Sequence, residues 1–204
     1  MGPDNGCPAL SLSGWVGHAI GAFVRGKNMR AASILSVVSL LAALGLLAQP
    51  GAAQSAKSSS ARAEIARGKY LVEFGGCIDC HTPGYFFGKQ DMPRALGGSE
   101  VGFEIPGLGV FYGPNLSPDK DTGLGNWTKE QIVTALQKGT RPDGRQLVPI
   151  MPWKAFAKLT KADANAIAAY LKSLAPISHK VPGPFGPSET PTSFVMKIVP
   201  PAKQ

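Results

Sequence analysis

Acidic side chains, cysteine and histidine are all scarce in this chain: 13 Asp and Glu, 3 Cys and 3 His among 204 residues. Three cysteines exclude a dense disulfide framework. No nucleophile–base pair or group of carboxylates stands out, which argues against an enzyme active site of its own. The net charge of +8 comes without a recognisable nucleic-acid module, so basicity alone does not indicate binding to DNA or RNA. A content of 44% hydrophobic residues is too apolar for a wholly disordered chain. The length allows one domain or two small ones.

The only long uncharged apolar run is residues 31–48. Arg25, Lys27 and Arg30 precede it, and Pro50, Gly51, Ala52 and Ala53 follow it. This is the layout of a secretory signal peptide over residues 29–53, cleaved near Ala53 or Ala56. Residues 1–28, with Cys7 and Trp15, then read as an overlong N-terminal extension, and Met29 as the more ordinary start. The alternative is a retained anchor, because at about 1.5 Å per residue the run nearly crosses a hydrocarbon layer of roughly 30 Å. Both readings export the remainder to a periplasmic location, soluble or membrane-associated.

The exported part divides into a small polar linker (54–61), a folded domain (62–176) and a proline-rich tail (177–204). A helix is expected over 61–74, with Ile65, Gly68, Leu71 and Val72 on one face. Gly68 weakens that helix by about 0.5–1 kcal/mol relative to alanine, which close approach of another helix would offset. Residues 82–126 show no sustained periodicity and read as long irregular loops, of the kind that enclose a ligand. Thr128 and Gln131 form a capping box for a second helix that ends at Gly139. A turn is expected at 141–144, a short helix from Pro152 to Leu159, and a second capping box at Thr160 and Asp163. The helix over 161–174, with Ala164, Ile167, Ala168, Leu171 and Leu174 on one side, is the expected partner of the Gly68 face. The tail should be extended and irregular, wrapping the domain or remaining free.

Cys77-Ile78-Asp79-Cys80-His81 is a C-x-x-C-H sequence, the attachment pattern of c-type haem. Two thiols form thioethers with the haem vinyl groups while the adjacent imidazole bonds the iron. The competing readings are a redox dithiol, a zinc half-site and a chance disulfide. The first lacks a thioredoxin-like context and the second lacks enough further ligands. A six-coordinate iron needs a ligand on its other face, and Met92, Met151, His179 and Met196 are the exported candidates. Pro149 and Pro152 flank Met151, restricting the backbone so that a thioether is held with little entropy left to lose. Met92 is also followed by proline but no helix anchors its loop, His179 reads as solvent-facing, and Met196 lies in the tail.

The segments Arg67-Gly68-Lys69-Tyr70-Leu71, Cys77 to His81, Tyr112 to Asp119, Thr122 to Trp127, Pro149 to Trp153 and Leu159 to Leu174 together resemble the class I cytochrome c family. The likeness spans residues 62–176 and is strongest to haem domains of cytochrome subunits serving bacterial membrane-associated alcohol and aldehyde dehydrogenases. Those subunits often hold three such domains, whereas one C-x-x-C-H occurs here. The resemblance implies an all-α class I cytochrome c fold with long haem-enclosing loops and one covalently attached haem c. It implies His81 and Met151 as axial iron ligands, Gly68 at a helix crossing near Tyr170, and Trp127, Pro149 and Asn115 packing near the haem.

An iron closed on both faces moves single electrons and leaves no position for oxygen chemistry. The expected function is a periplasmic one-electron carrier between a dehydrogenase and a respiratory acceptor such as a terminal oxidase. The alternative is a haem-based sensor in which Met151 is displaced by a small ligand. Lys120, Lys129, Lys138, Arg141, Arg145, Lys154 and Lys158 lie near the haem-binding segments and suit an acidic redox partner. Membrane contact is expected only through a retained N-terminal segment or through that partner.

Overall fold

The computed structural model describes residues 50–201. The apolar run, Cys7 and His18 therefore lie outside the described residues, as do the readings of an N-terminal extension and most of the export segment. No helix among the described residues is long and apolar enough to cross a membrane.

Helix α1 (Pro50–Phe74) is 25 residues long. Residues 54–61, expected as a linker, continue this helix. Between Gly51 and Gly68 there is no glycine or proline, and an Ala-rich polar run prolongs a helix once a packed turn has nucleated it. Packing begins further along. Helix α5 (Lys161–Ser173) crosses α1 at Gly68, where a Cβ would lie 1.9 Å from the Ala166 carbonyl oxygen and 2.8 Å from Tyr170 Cβ. Removing the side chain lets the backbones touch. Val72, Ala164, Ile167, Ala168 and Leu171 are buried at this contact and join Leu124, Ile132 and Leu136 in the core.

Helix α3 (Lys129–Lys138) starts with both halves of the Thr128–Gln131 capping box and ends at Gly139, whose φ is 68°. Thr160 caps α5 by accepting the Asp163 amide N–H, but the second box is only half formed. The Asp163 carboxylate turns instead to Arg67 Nε at 2.9 Å, clipping α5 to α1. The short helix after Pro152 is α4 (Trp153–Phe156).

The all-α expectation needs correction, because the loops between α2 (Cys77–His81) and α3 contain a hairpin. Strand β1 (Val101–Ile105) pairs antiparallel with β2 (Gly109–Tyr112), with Phe103 opposite Phe111. The tail supplies β3 (Phe194–Met196), parallel to β1, and exchanges two backbone hydrogen bonds between Phe185 and Val110. The tail is thus strapped to the domain. Strands of three to five residues are too short to show periodicity, and tail partners 75 to 93 positions away leave no local signal.

Candidate haem site

The first turn after α1 is made by glycine. Gly76, at φ 65°, reverses the chain so that α2 starts at once, and the Asp79 N–H bonds back to the Gly76 carbonyl at 3.1 Å. Cys77 and Cys80 stand three residues apart, on one face of this turn. Both are free thiols and half-buried. Burial pushes the Cys77 thiol up to about 11, and the neighbouring Cys80 and Asp79 add to the shift. Cys80 is raised as well, first by burial and then by Asp79. Both are therefore protonated at neutral pH, unlike the activated thiolate of a redox dithiol.

His81 closes the helix and is 5% exposed. Its Nδ1 lies 2.7 Å from the Pro114 carbonyl oxygen. A carbonyl only accepts, so Nδ1 carries the proton and donates it, leaving the Nε2 lone pair free for a metal. Burial lowers the imidazole's proton affinity, against the opposing effect of the Pro114 hydrogen bond, and favours the neutral form that coordination requires.

The backbone around His81 is tightly registered. Gly113 passes so close beneath the Cys80 carbonyl that a Cβ there would lie 1.7 Å from its oxygen. The Gly98 N–H donates to the His81 carbonyl at 2.8 Å, Ser99 N–H to Gly113 at 2.9 Å, and Leu116 N–H to Leu96 at 2.8 Å. Leu96, buried among them, takes the left-handed conformation at φ 64°, a cost on the order of 1 kcal/mol that the surrounding contacts must hold in place.

Half-buried apolar side chains pack against the core from several other segments, including Ile78, Leu116, Trp127, Met151, Phe156 and Leu159. The Arg141 guanidinium lies 5.1 Å from the centre of the Trp127 ring. Met151 sits in a compact turn, its N–H bonded to the Val148 carbonyl at 3.1 Å and its carbonyl accepting from Trp153 at 2.8 Å. Gly139 is the floor for Trp153, whose ring would be 2.7 Å from a Cβ at that position. Pro149 is exposed.

The other candidates for a second iron ligand are placed differently. Met92 is exposed on a 3-10 turn and Met196 is exposed in β3. His179 is not solvent-facing: it is half-buried, and its Nδ1 donates to the Gly97 carbonyl at 2.7 Å. Of the four, Met151 is the one in contact with the core cluster that also contacts Cys77 and Ile78.

Sequence reasoning missed two devices. Lys172 Nζ donates to the carbonyls of Leu124, Gly125 and Trp127 at 2.9–3.1 Å, tying the Trp127 loop to α5. A lysine in a last helical turn carries no signal for such a role. Asn115 has its polar atoms engaged within the protein, donating to Thr122 and Ile177 and accepting from the Ser117 N–H. Only the folded tail reveals that partner.

Among the described residues no three His, Cys, Asp and Glu side chains converge as a metal-binding group. The donor set on α2 instead offers two separate thiols and one oriented imidazole, with a thioether among the apolar walls. That set fits an iron porphyrin held through its edge and its metal.

Comparison with known proteins supports the same chemistry. The Cytochrome c family profile matches residues 65–175. The chain is 36% identical over 140 residues to the fructose dehydrogenase cytochrome subunit of Gluconobacter japonicus, covering 69% of this chain and 27% of that protein. It is 38% identical over 131 residues to the cytochrome c subunit of the quinone-dependent alcohol dehydrogenase of Gluconobacter oxydans, covering 64% and 25%. A diheme cytochrome c-type protein of Cereibacter sphaeroides is 30% identical over 143 residues, covering 70% and 47%. The matching stretch spans only about a quarter of the length of the first two relatives. With the family match running from the Gly68 crossing through the C-x-x-C-H turn to α5, the chain belongs to the cytochrome c family, whose members carry covalently bound haem and transfer electrons.

Proposed function

We propose that this protein is a periplasmic one-electron carrier with one haem c, passing electrons from a membrane-associated dehydrogenase to a respiratory acceptor. Cys77 and Cys80 would hold the haem by thioether bonds, and His81 Nε2 and Met151 Sδ would bind its iron. The observation that carries this reading is the buried His81 ring, with Nδ1 committed to Pro114 on the same turn that projects both thiols. The single C-x-x-C-H in the sequence supports one haem.

When bound, the haem supplies a reversible one-electron iron couple, which a methionine ligand biases toward the ferrous state. The residues of this chain do the rest. Pro114 orients the imidazole, the Met151 turn holds the thioether between two prolines, and the core residues behind Trp127 and Leu116 keep water away. Arg141, Arg145, Lys154 and Lys158 lie on the segments flanking Met151 and favour an acidic docking surface. The printed names of the relatives, cytochrome subunits of dehydrogenases, support a dehydrogenase as donor.

The test is a matured sample extracted with acidified organic solvent. Pigment should stay with the wild-type protein, and Met151→Ala should lose the sulfur-ligand absorption band while keeping the pigment. Extraction of the pigment from wild type would refute the thioether linkage, and an unchanged band in M151A would refute the Met151 ligand.

A further inference from the structure

The tail beyond α5 does more than cover the domain. Its residues 177–181 meet the two loops that hold His81, and they do so at the positions next to the two groups bonded to that histidine. The side chain of His81 is held by Pro114, and the next residue is Asn115. Asn115 is 1% exposed and donates from Nδ2 to the Ile177 carbonyl at 2.6 Å and to Thr122 Oγ1 at 3.0 Å. The Ile177 N–H in turn donates to Ser117 Oγ at 2.9 Å, and the His179 N–H to Thr122 Oγ1 at 3.1 Å.

The backbone carbonyl of His81 is held by the Gly98 N–H, and the preceding residue, Gly97, accepts from His179 Nδ1 at 2.7 Å. The tail lies directly on these glycines. A Cβ at Gly97 would be 3.1 Å from Ile177 Cγ2, and one at Gly98 would be 2.3 Å from Val181 Cγ1. A cover that served only to bury surface would not need hydrogen bonds to Asn115 and Gly97, the two residues adjoining the His81 partners.

We infer that the tail segment 177–179, through Asn115 and His179, is a positioning strap that sets the His81 Nδ1–H to Pro114 hydrogen bond. This rests on the reading of His81 as an iron ligand. The strength of that bond controls how much electron density the imidazole gives to the metal. A firm hydrogen bond favours the ferric state. Loosening the strap weakens the bond and moves the reduction potential upward.

The experiment uses the full-length haem protein, first confirmed in wild type to retain its pigment and its sulfur-ligand band. His179→Ala removes the bond to Gly97, and His179→Asn restores a donor at the place of Nδ1. Two readouts are taken: the exchange rate of the His81 Nδ1 proton by NMR in the reduced state, and the reduction potential. H179A should exchange that proton roughly tenfold faster, the equivalent of one lost hydrogen bond, and raise the potential. H179N should return both toward wild type. Asn115→Ala should act in the same direction as H179A. If H179A lowers only the unfolding midpoint and leaves the proton exchange and the potential unchanged, the strap is merely structural and the inference is overturned. A wild-type protein in which His81 does not bind iron overturns the underlying reading as well, and is seen before any variant is made.

Discussion

Gly68→Ala sets two forces of opposite sign against each other. By helix propensity alone the change should stabilise α1 by about 0.5–1 kcal/mol. At the crossing, however, the new Cβ falls 1.9 Å from the Ala166 carbonyl oxygen and 2.8 Å from Tyr170 Cβ. A carbon and a carbonyl oxygen rest about 3.3 Å apart at closest, so against the 1.9 Å contact the helices must part by roughly 1.4 Å. The obstacle is backbone and has no rotamer to change. Parting the helices loosens Val72, Ala164, Ile167 and Ala168, all nearly or wholly buried. Overpacking of this kind costs about 1–3 kcal/mol, and a backbone obstacle puts it at the upper end. The net loss is then about 2 kcal/mol, or roughly a 4–8 °C fall in Tm for a chain of this size. Urea unfolding of wild type and G68A with haem attached gives the comparison directly. A variant as stable as wild type, or more so, would show that the crossing is not the tight contact described.

Lys172→Met keeps the length of the side chain but removes three hydrogen bonds to the Trp127 loop, so unfolding should require about 2–3 kcal/mol less; an unchanged urea midpoint would refute the tether. Arg67, then Thr160, hold the Asp163 carboxyl below its ordinary range. A carboxyl depressed in the folded state contributes stability above its unfolded value and loses it as pH falls through the folded one, so the stability gap between wild type and Arg67→Met should be present at pH 6 and shrink as pH falls below the ordinary carboxylate range. A gap independent of pH would reject the ion pair as its source. Carbon monoxide should bind the reduced wild-type protein slowly and incompletely and M151A readily; rapid stoichiometric binding to wild type would favour a ligand sensor over a closed carrier. Electron transfer with an acidic partner should slow as ionic strength rises, and a rate indifferent to salt would remove the steering role of the basic segments.

Much of the site was legible because its chemistry is local. Cys77, Cys80 and His81 fall within five consecutive residues, and their spacing is the attachment pattern of c-type haem. The Thr128 cap, the glycine at 139 and the amphipathic face of α5 are also short-range, since capping and helical periodicity are read within a few residues. The Thr160 box was misread in one half because a competing partner, Arg67, lies 96 positions away. The hairpin at 101–112 and the helical continuation through 54–61 were missed for related reasons. A four-residue strand becomes stable only when paired, and a polar alanine-rich run is helix or linker according to what it extends.

The tail marks the division most clearly. Its prolines announced an extended segment, and nothing in the order of residues 175–199 says where such a segment lies. Only the folded molecule puts Ile177 against Asn115, His179 against Gly97 and Phe194 beside Val101. The sequence by itself determined the C-x-x-C-H pattern and the kind of cofactor to expect, because that pattern is contained within five consecutive residues. The tertiary structure alone decided how the imidazole is held, because Pro114, Gly98 and the strap behind them reach His81 from chain positions 17 to 98 residues away, a distance over which no local periodicity or propensity carries information.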